Sequence, residues 1–175
     1  KVSTIYAQLV DEIDNPKGQW VFDEEKALRP IEFIEKFCRQ SKGEWIGKPL
    51  KLELFQKAFI SALFGFIDKE TGFRRYKETL FLCARKNGKS SLLAAIALYM
   101  LTADGEGGAE VYSIATKADQ SRIIFNEAVH MVQQSPYLSK YIVKRKSDMY
   151  MPSTFSTMAP LASETKSLDG LNSHC

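Results

Sequence analysis

A short basic loop between two apolar runs constrains the fold of this chain more than any other feature. In LFLCARKNGKSSLLAAIALYML, residues 80–101, an apolar run at 80–82 precedes the loop and a long apolar run follows it. The first run predicts a strand over residues 79–82 in the middle of a sheet, and the second, from residue 89 to about 103, is typical of a buried helix. A strand that enters a helix through such a loop indicates a parallel α/β sheet.

The loop ends in Gly88-Lys89-Ser90, the last part of the phosphate-binding pattern G-x-x-x-x-G-K-[ST]. In such loops, backbone N–H groups at a helix N-terminus bind phosphate oxygens, the lysine bridges the β- and γ-phosphates, and the hydroxyl ligates magnesium. Cys83 replaces the first glycine, as a small residue that can end a buried strand. The apolar context favours a real site over a solvated basic turn.

The loop therefore predicts a site for ATP and Mg²⁺. Lys89 is predicted to act in catalysis by neutralising phosphate charge, and Ser90 is the predicted metal ligand. Arg85 and Lys86 add positive charge at the mouth of the loop; either could instead be a surface cation, but a functional role is favoured for Arg85. The predicted nucleotide-binding residues of the loop are Arg85, Lys86, Asn87, Gly88, Lys89, Ser90 and Ser91.

The remaining periodicity extends the α/β prediction. Helices are predicted over residues 4–13, 23–39, 52–67 and 117–136, a buried strand over residues 109–116, and short strands or edge pieces after Pro136. Asp23 is the expected cap of the second helix. We expect an incomplete P-loop NTPase-type parallel sheet flanked by helices over residues 51–175, with a helical N-terminal extension over residues 1–50.

Composition narrows the class of protein. The 175 residues suffice for one domain with an appendage, and 45% are apolar, enough for a substantial core. The net charge of +3 permits nucleic-acid binding without demonstrating it. Three scattered cysteines predict no disulfide framework, and the longest apolar run, residues 92–101, is too short to span a bilayer. Because no signal peptide is recognised at the start of the sequence, we expect an intracellular protein without membrane contact.

Three segments, in this order, resemble one family of viral proteins. The loop and helix at 80–101, GAEVYSIATKADQSRIIFNEAVHMV at 108–132, and STFSTMAPLASETKSLDGLN at 153–172 are similar to the large terminase subunit of tailed bacteriophages, of the HK97-type group. The resemblance covers about residues 50–175. It implies an ATPase motor that packages double-stranded DNA into a procapsid in the cytoplasm of the bacterial host. It also implies a ring oligomer, with the portal protein and the small terminase subunit as partners.

The same resemblance assigns roles to single residues. Gln56, in LKLELFQ, resembles the adenine-recognition segment of the family; the alternative is a polar residue on the exposed side of its helix. Arg85 resembles the arginine that the family carries early in the loop. Thr116, Lys117 and Gln120 would lie at the carboxyl edge of the sheet beside the loop, where ligands bind, with helix capping by Thr116 as the open alternative.

In the family, the acidic Walker B strand is expected directly after LDGLNSHC and a nuclease domain later. Residues 1–175 are therefore expected to be an N-terminal ATPase fragment that is inactive alone, with Asp169 in a turn rather than at a strand end. SETKSLDGLN is expected to be a polar loop, either near the ligands or on an ordinary surface. Two other functions stay open: another P-loop DNA translocase or helicase, and a nucleotide-binding or docking module without turnover.

Overall fold

The computed structural model describes residues 2–162 and 173–175, with the side chains of the first helix described from Ala7. Its elements, in chain order, are α1 (Val2–Asp14), β1 (Trp20–Phe22), α2 (Glu24–Phe37), α3 (Leu54–Gly65), β2 (Phe66–Asp68), α4 (Lys89–Thr102), β3 (Glu110–Ala115), α5 (Ala118–Gln134), β4 (Val143–Lys144), β5 (Met149–Met151) and β6 (Ser156–Ala162). The chain divides into two compact units, Lys1–Glu32 with Leu52–Leu82, and Phe33–Lys51 with Cys83–Cys175. The predicted division at residue 50 stays a prediction.

The first unit is built around a two-stranded antiparallel sheet. Strand β1 pairs with β2, which follows α3 without a loop, and the rings of Phe22 and Phe66 meet edge to face at 5.2 Å. The predicted cap of α2 is confirmed, because Asp23 Oδ1 accepts the N–H of Lys26 at 2.9 Å. This capping bond fixes the start of α2 beside the small sheet.

The second unit contains a four-stranded sheet in the order β3-β6-β5-β4. Strand β3 runs parallel to β6, whereas β6, β5 and β4 form an antiparallel meander. The α/β class is confirmed, but the sheet is mixed rather than parallel, because the short turns between β4, β5 and β6 permit only antiparallel pairing. Ser173 forms a further parallel bridge to Glu110, on the edge of β3 opposite β6.

Helix α4 forms the core of the second unit. It is buried from Ala94 to Leu101, and Ala94, Ala95 and Leu98 have no exposed surface. Helix α5 covers α4 and the β3–β6 pair with one apolar face, which includes Phe125 and Met131. A helix that is apolar on all sides must be enclosed in this way. None of the described helices combines the length and the apolar content required to cross a bilayer.

The predicted strand at residues 79–82 is wrong. These residues form no strand, Leu80 and Leu82 are 81% and 82% exposed, and Cys83 is half-buried rather than buried. Phe81 packs against Phe59 at 4.7 Å between ring centroids. An apolar run indicates a central strand only where neighbouring strands supply backbone partners, and no strand in the described residues pairs with this segment.

A substitution of Gly65, the last residue of α3, tests the packing of the first unit. A Cβ at Gly65 would lie 2.5 Å from Phe22 Cε2 and 2.8 Å from Ala27 Cβ. We expect Gly65→Ala to lower the free energy of unfolding by about 1–3 kcal/mol through overpacking. Urea denaturation followed by circular dichroism measures this loss. Gly107→Ala is the control, since a Cβ there meets nothing within 4 Å; equal stability of the two variants would contradict the packing described.

Candidate nucleotide-binding site

The loop before α4 has a strained backbone. Gly88, the N-terminal cap of α4, adopts the left-handed conformation with φ 71° and ψ 15°, and Lys86 has φ 68°. For a side chain such as that of Lys86, this conformation costs about 1–2 kcal/mol. Asn87 Nδ2 donates a hydrogen bond to the carbonyl of Ala84 at 3.2 Å and so closes the loop on itself. Such strain is concentrated at functional sites in proteins.

The first turn of α4 begins with amide groups that have no carbonyl partner one turn earlier within the helix. The first hydrogen bond of the helix runs from the N–H of Leu92 to the carbonyl of Gly88 at 2.9 Å, so the N–H groups of residues 89–91 precede it. No acidic residue lies in this turn. Lys89 is exposed and Ser90 is half-buried. The positive end of the helix dipole, the amides of the first turn and the ammonium group of exposed Lys89 therefore lie where an anion can approach.

Gln56 is buried in the structure, whereas one of the two sequence expectations placed it on the exposed side of its helix. Gln56 lies in the first turn of α3 and is 8% exposed, so the alternative of an exposed polar residue is wrong. Its Oε1 accepts the N–H of Glu53 at 2.9 Å, as part of a capping arrangement. The role of Gln56 toward adenine stays a prediction, and Gln56 belongs to the first unit whereas the loop belongs to the second.

A buried carboxylate that the sequence analysis missed contacts the helix of the site. Glu127, on α5, has a side chain only 6% exposed. Its Oε1 accepts the hydroxyl of Ser91 at 2.9 Å and that of Ser41 at 2.5 Å, and its Oε2 lies 3.3 Å from Lys42 Nζ. Burial acts to raise the pKa of Glu127, but the three hydrogen bonds and the charge of Lys42 outweigh burial, so the pKa lies below its ordinary value.

Ser91, one of the predicted nucleotide-binding residues, therefore uses its hydroxyl inside the protein. Its backbone N–H still belongs to the exposed first turn of α4. The signal in the sequence was the position of Glu127 on the apolar face of α5, between the buried residues Phe125 and Ala128. A charged residue at a buried helical position requires partners, and these come from distant parts of the chain.

Two of the three residues predicted at the carboxyl edge of the sheet come directly after β3. β3 ends at Ala115, so Thr116 and Lys117 follow directly. Lys117 is the N-terminal cap of α5, so Thr116 does not occupy the cap position that the alternative expected. The segment SETKSLDGLN, with Glu164 and Asp169, lies outside the described residues.

The basic segments FRRYK, residues 73–77, and KRK, residues 144–146, each contain an arginine with a partner within the protein. Arg75 pairs with Glu12 at 3.1 Å. Arg145 pairs with Asp148 at 3.0 Å and lies over the ring of Tyr150. These contacts give both arginines a structural role in the positions that the structure shows.

Comparisons with known proteins agree on one family. The profile of the family described as "Terminase large subunit, ATPase domain" matches residues 54–175. The chain is similar to "Terminase, large subunit" of Enterobacteria phage HK97, with 36% identity over 115 residues, which make up 65% of this chain and 22% of that protein. It is also similar to the crystal structure of the HK97 bacteriophage large terminase, with a TM-score of 0.71 and 31% identity over 85% of this chain. The chain covers 29% of that structure.

Gly88 and Gly108 provide a matched pair for testing the loop. Both have positive φ angles, 71° and 70°, so an alanine at either position brings a similar backbone strain of about 1–2 kcal/mol. We expect Gly88→Ala to weaken ADP binding about tenfold or more, since it displaces the amides of the first turn of α4, and Gly108→Ala to leave binding unchanged. Isothermal titration calorimetry measures both affinities. Equal affinities in the two variants would contradict a site at this loop.

Proposed function

Because the chain belongs to the family of terminase large subunit ATPase domains, we propose that it is the ATP-binding part of a motor subunit that drives viral DNA into a procapsid. The observation that carries this proposal is the loop before α4. Left-handed Gly88 leads the backbone into a helix that begins at the exposed residue Lys89. This is the arrangement that a polyphosphate requires.

Each residue of the loop has a proposed role in this site. The amides of residues 88–91 bind phosphate oxygens, and Lys89 bridges the β- and γ-phosphates. Asn87 holds the loop closed through Ala84, and exposed Lys86 adds charge. Ser90 fits magnesium, because it lies in the first turn of α4 and hydroxyl oxygen is a ligand that this metal accepts. When bound, magnesium neutralises charge on the phosphates.

Arg85 is proposed to act on the terminal phosphate. It is exposed, lies four residues before Lys89, and its guanidinium presents several donors in a plane. Charge develops on the phosphoryl group during transfer, so a guanidinium placed there accelerates turnover more than it strengthens binding. The strained conformation of the neighbouring Lys86 supports a loop shaped for such a contact.

Gln56 is proposed to meet adenine through its amide NH₂. The carbonyl oxygen already accepts the N–H of Glu53, so the donors are the part of the amide that suits the ring nitrogens of adenine as acceptors. The burial of Gln56 favours a fixed side chain rather than a mobile surface residue.

Double-stranded DNA, the portal protein and the small terminase subunit are the proposed partners, and a ring is the proposed assembly. The family assignment supports these partners and favours a packaging motor over a helicase. We also propose that residues 1–175 alone bind ATP without rapid hydrolysis. The carboxylate that contacts the first turn of α4, that of Glu127, is buried and engaged by three donors, so it does not serve as a metal ligand or as a base for water.

Substitutions of Lys89 and Arg85 distinguish nucleotide binding from ATP turnover. We expect Lys89→Ala to reduce the affinity of residues 1–175 for MgATP by about tenfold or more, because a charge-assisted phosphate contact is lost. Arg85→Ala should change this affinity less than threefold (about 0.6 kcal/mol), yet lower ATP turnover in the full-length protein by about 100-fold or more.

Calorimetry measures the affinities, and phosphate release measures turnover. The control is Lys51→Ala, an exposed lysine outside the loop, which should alter neither quantity. Wild-type affinity in Lys89→Ala would contradict the phosphate site, and normal turnover in Arg85→Ala would contradict the catalytic role of Arg85.

A further inference from the structure

Glu127 connects the nucleotide site to the interior of the second unit. We propose that Glu127 is a positioning residue, whose carboxylate holds the first turn of α4 through Ser91 in the orientation that presents Lys89 and Ser90 to phosphate. This inference rests on the proposed nucleotide-binding function. Glu127 acts through Ser91 and does not itself contact the ligand.

The carboxylate joins three segments that are far apart in the sequence. It lies on α5, and it accepts one hydroxyl from the first turn of α4, at 2.9 Å from Ser91. It accepts another from Ser41, which is itself only 8% exposed, and Lys42 contributes an ammonium group 3.3 Å away. A movement of the first turn of α4 therefore breaks a hydrogen bond to a buried charge, which is an expensive event in a protein interior.

Packing alone does not orient the first turn of α4. The body of the helix is held by its buried residues, and this apolar packing begins at Leu92, which is 1% exposed. The three residues before it, Lys89, Ser90 and Ser91, add no large apolar surface. The bond from Ser91 to Glu127 supplies a directional contact for this part of the turn.

The chemistry of the cluster requires a carboxylate. All three partners are donors, and an ionised carboxylate has two oxygens that only accept. An amide at position 127 would keep one accepting oxygen and direct an NH₂ group at either a hydroxyl or the ammonium of Lys42. Glu127→Gln therefore preserves the shape of the side chain while it breaks the pattern of donors and acceptors.

The effect reaches the ligand along the helix backbone. Ser91 follows Ser90 directly and Lys89 by two residues, all within one turn of α4. A small rotation of this turn moves the hydroxyl of Ser90, the proposed magnesium ligand, together with the amides that bind phosphate. Binding that depends on magnesium should suffer most, because metal coordination tolerates little displacement.

The test measures ATP affinity of residues 1–175 with Mg²⁺ and with EDTA, together with the melting temperature, for Glu127→Gln, Ser91→Ala and the double variant. We expect each single variant to weaken MgATP binding about tenfold (about 1.4 kcal/mol). The double variant should weaken it no further, since both substitutions disrupt the same hydrogen bond between Ser91 and Glu127. The ratio of MgATP to metal-free affinity should fall as well. Glu44→Gln, at an exposed position, is the control and should match the wild type.

A merely structural role gives other results. Unchanged MgATP affinity in Glu127→Gln would overturn the proposal. So would losses of ATP affinity that are equal with and without Mg²⁺ and follow the melting temperature. Additive losses of affinity in the double variant would overturn it as well. If Glu127→Gln does not fold, wild-type MgATP affinity in Ser91→Ala overturns it. Binding that is lost in Lys89→Ala but kept in Glu127→Gln overturns this inference alone, whereas absence of binding in the wild type overturns the proposed function too.

Discussion

The burial of α4 is the constraint on which the second unit depends. A helix that is apolar on every side has to be enclosed, and α5 with the β3–β6 pair provides that enclosure. Lys89, at the beginning of the helix, is exposed, whereas Leu92, three residues later, is 1% exposed. Because the body of α4 is held on all sides, its positive end and the loop before it have a defined place on the surface.

Two kinds of interaction hold this helix in place. Apolar packing fixes the axis of α4, whereas the hydrogen bond between Ser91 and Glu127 gives the first turn a direction. A hydrogen bond to a buried carboxylate adds a contact that depends on direction as well as on distance. The left-handed backbone at Lys86 and Gly88 shapes the loop that leads directly into the start of the helix.

Local chemistry was readable from the sequence, and distant contacts were not. The start of α4 and the helix-capping role of Asp23 follow from residues close together in the chain. The strand expected at residues 79–82 failed because an apolar run does not reveal whether neighbouring strands will pair with it. Glu127 escaped notice because its partners Ser91 and Ser41 lie 36 and 86 residues away. The mixed sheet also depends on turns whose geometry the apolar pattern does not specify.

The central claim is that the first turn of α4 binds a polyphosphate through its backbone. The most direct measurement is a titration of isotope-labelled residues 1–175 with ADP, followed by the amide resonances in nuclear magnetic resonance spectra. The account predicts that the largest shifts fall on the amides of residues 88–91, because hydrogen bonds to phosphate change the shielding of the N–H groups that donate them. Shifts that spare these amides while ADP binds elsewhere, or no shift at saturating ADP, would contradict the account.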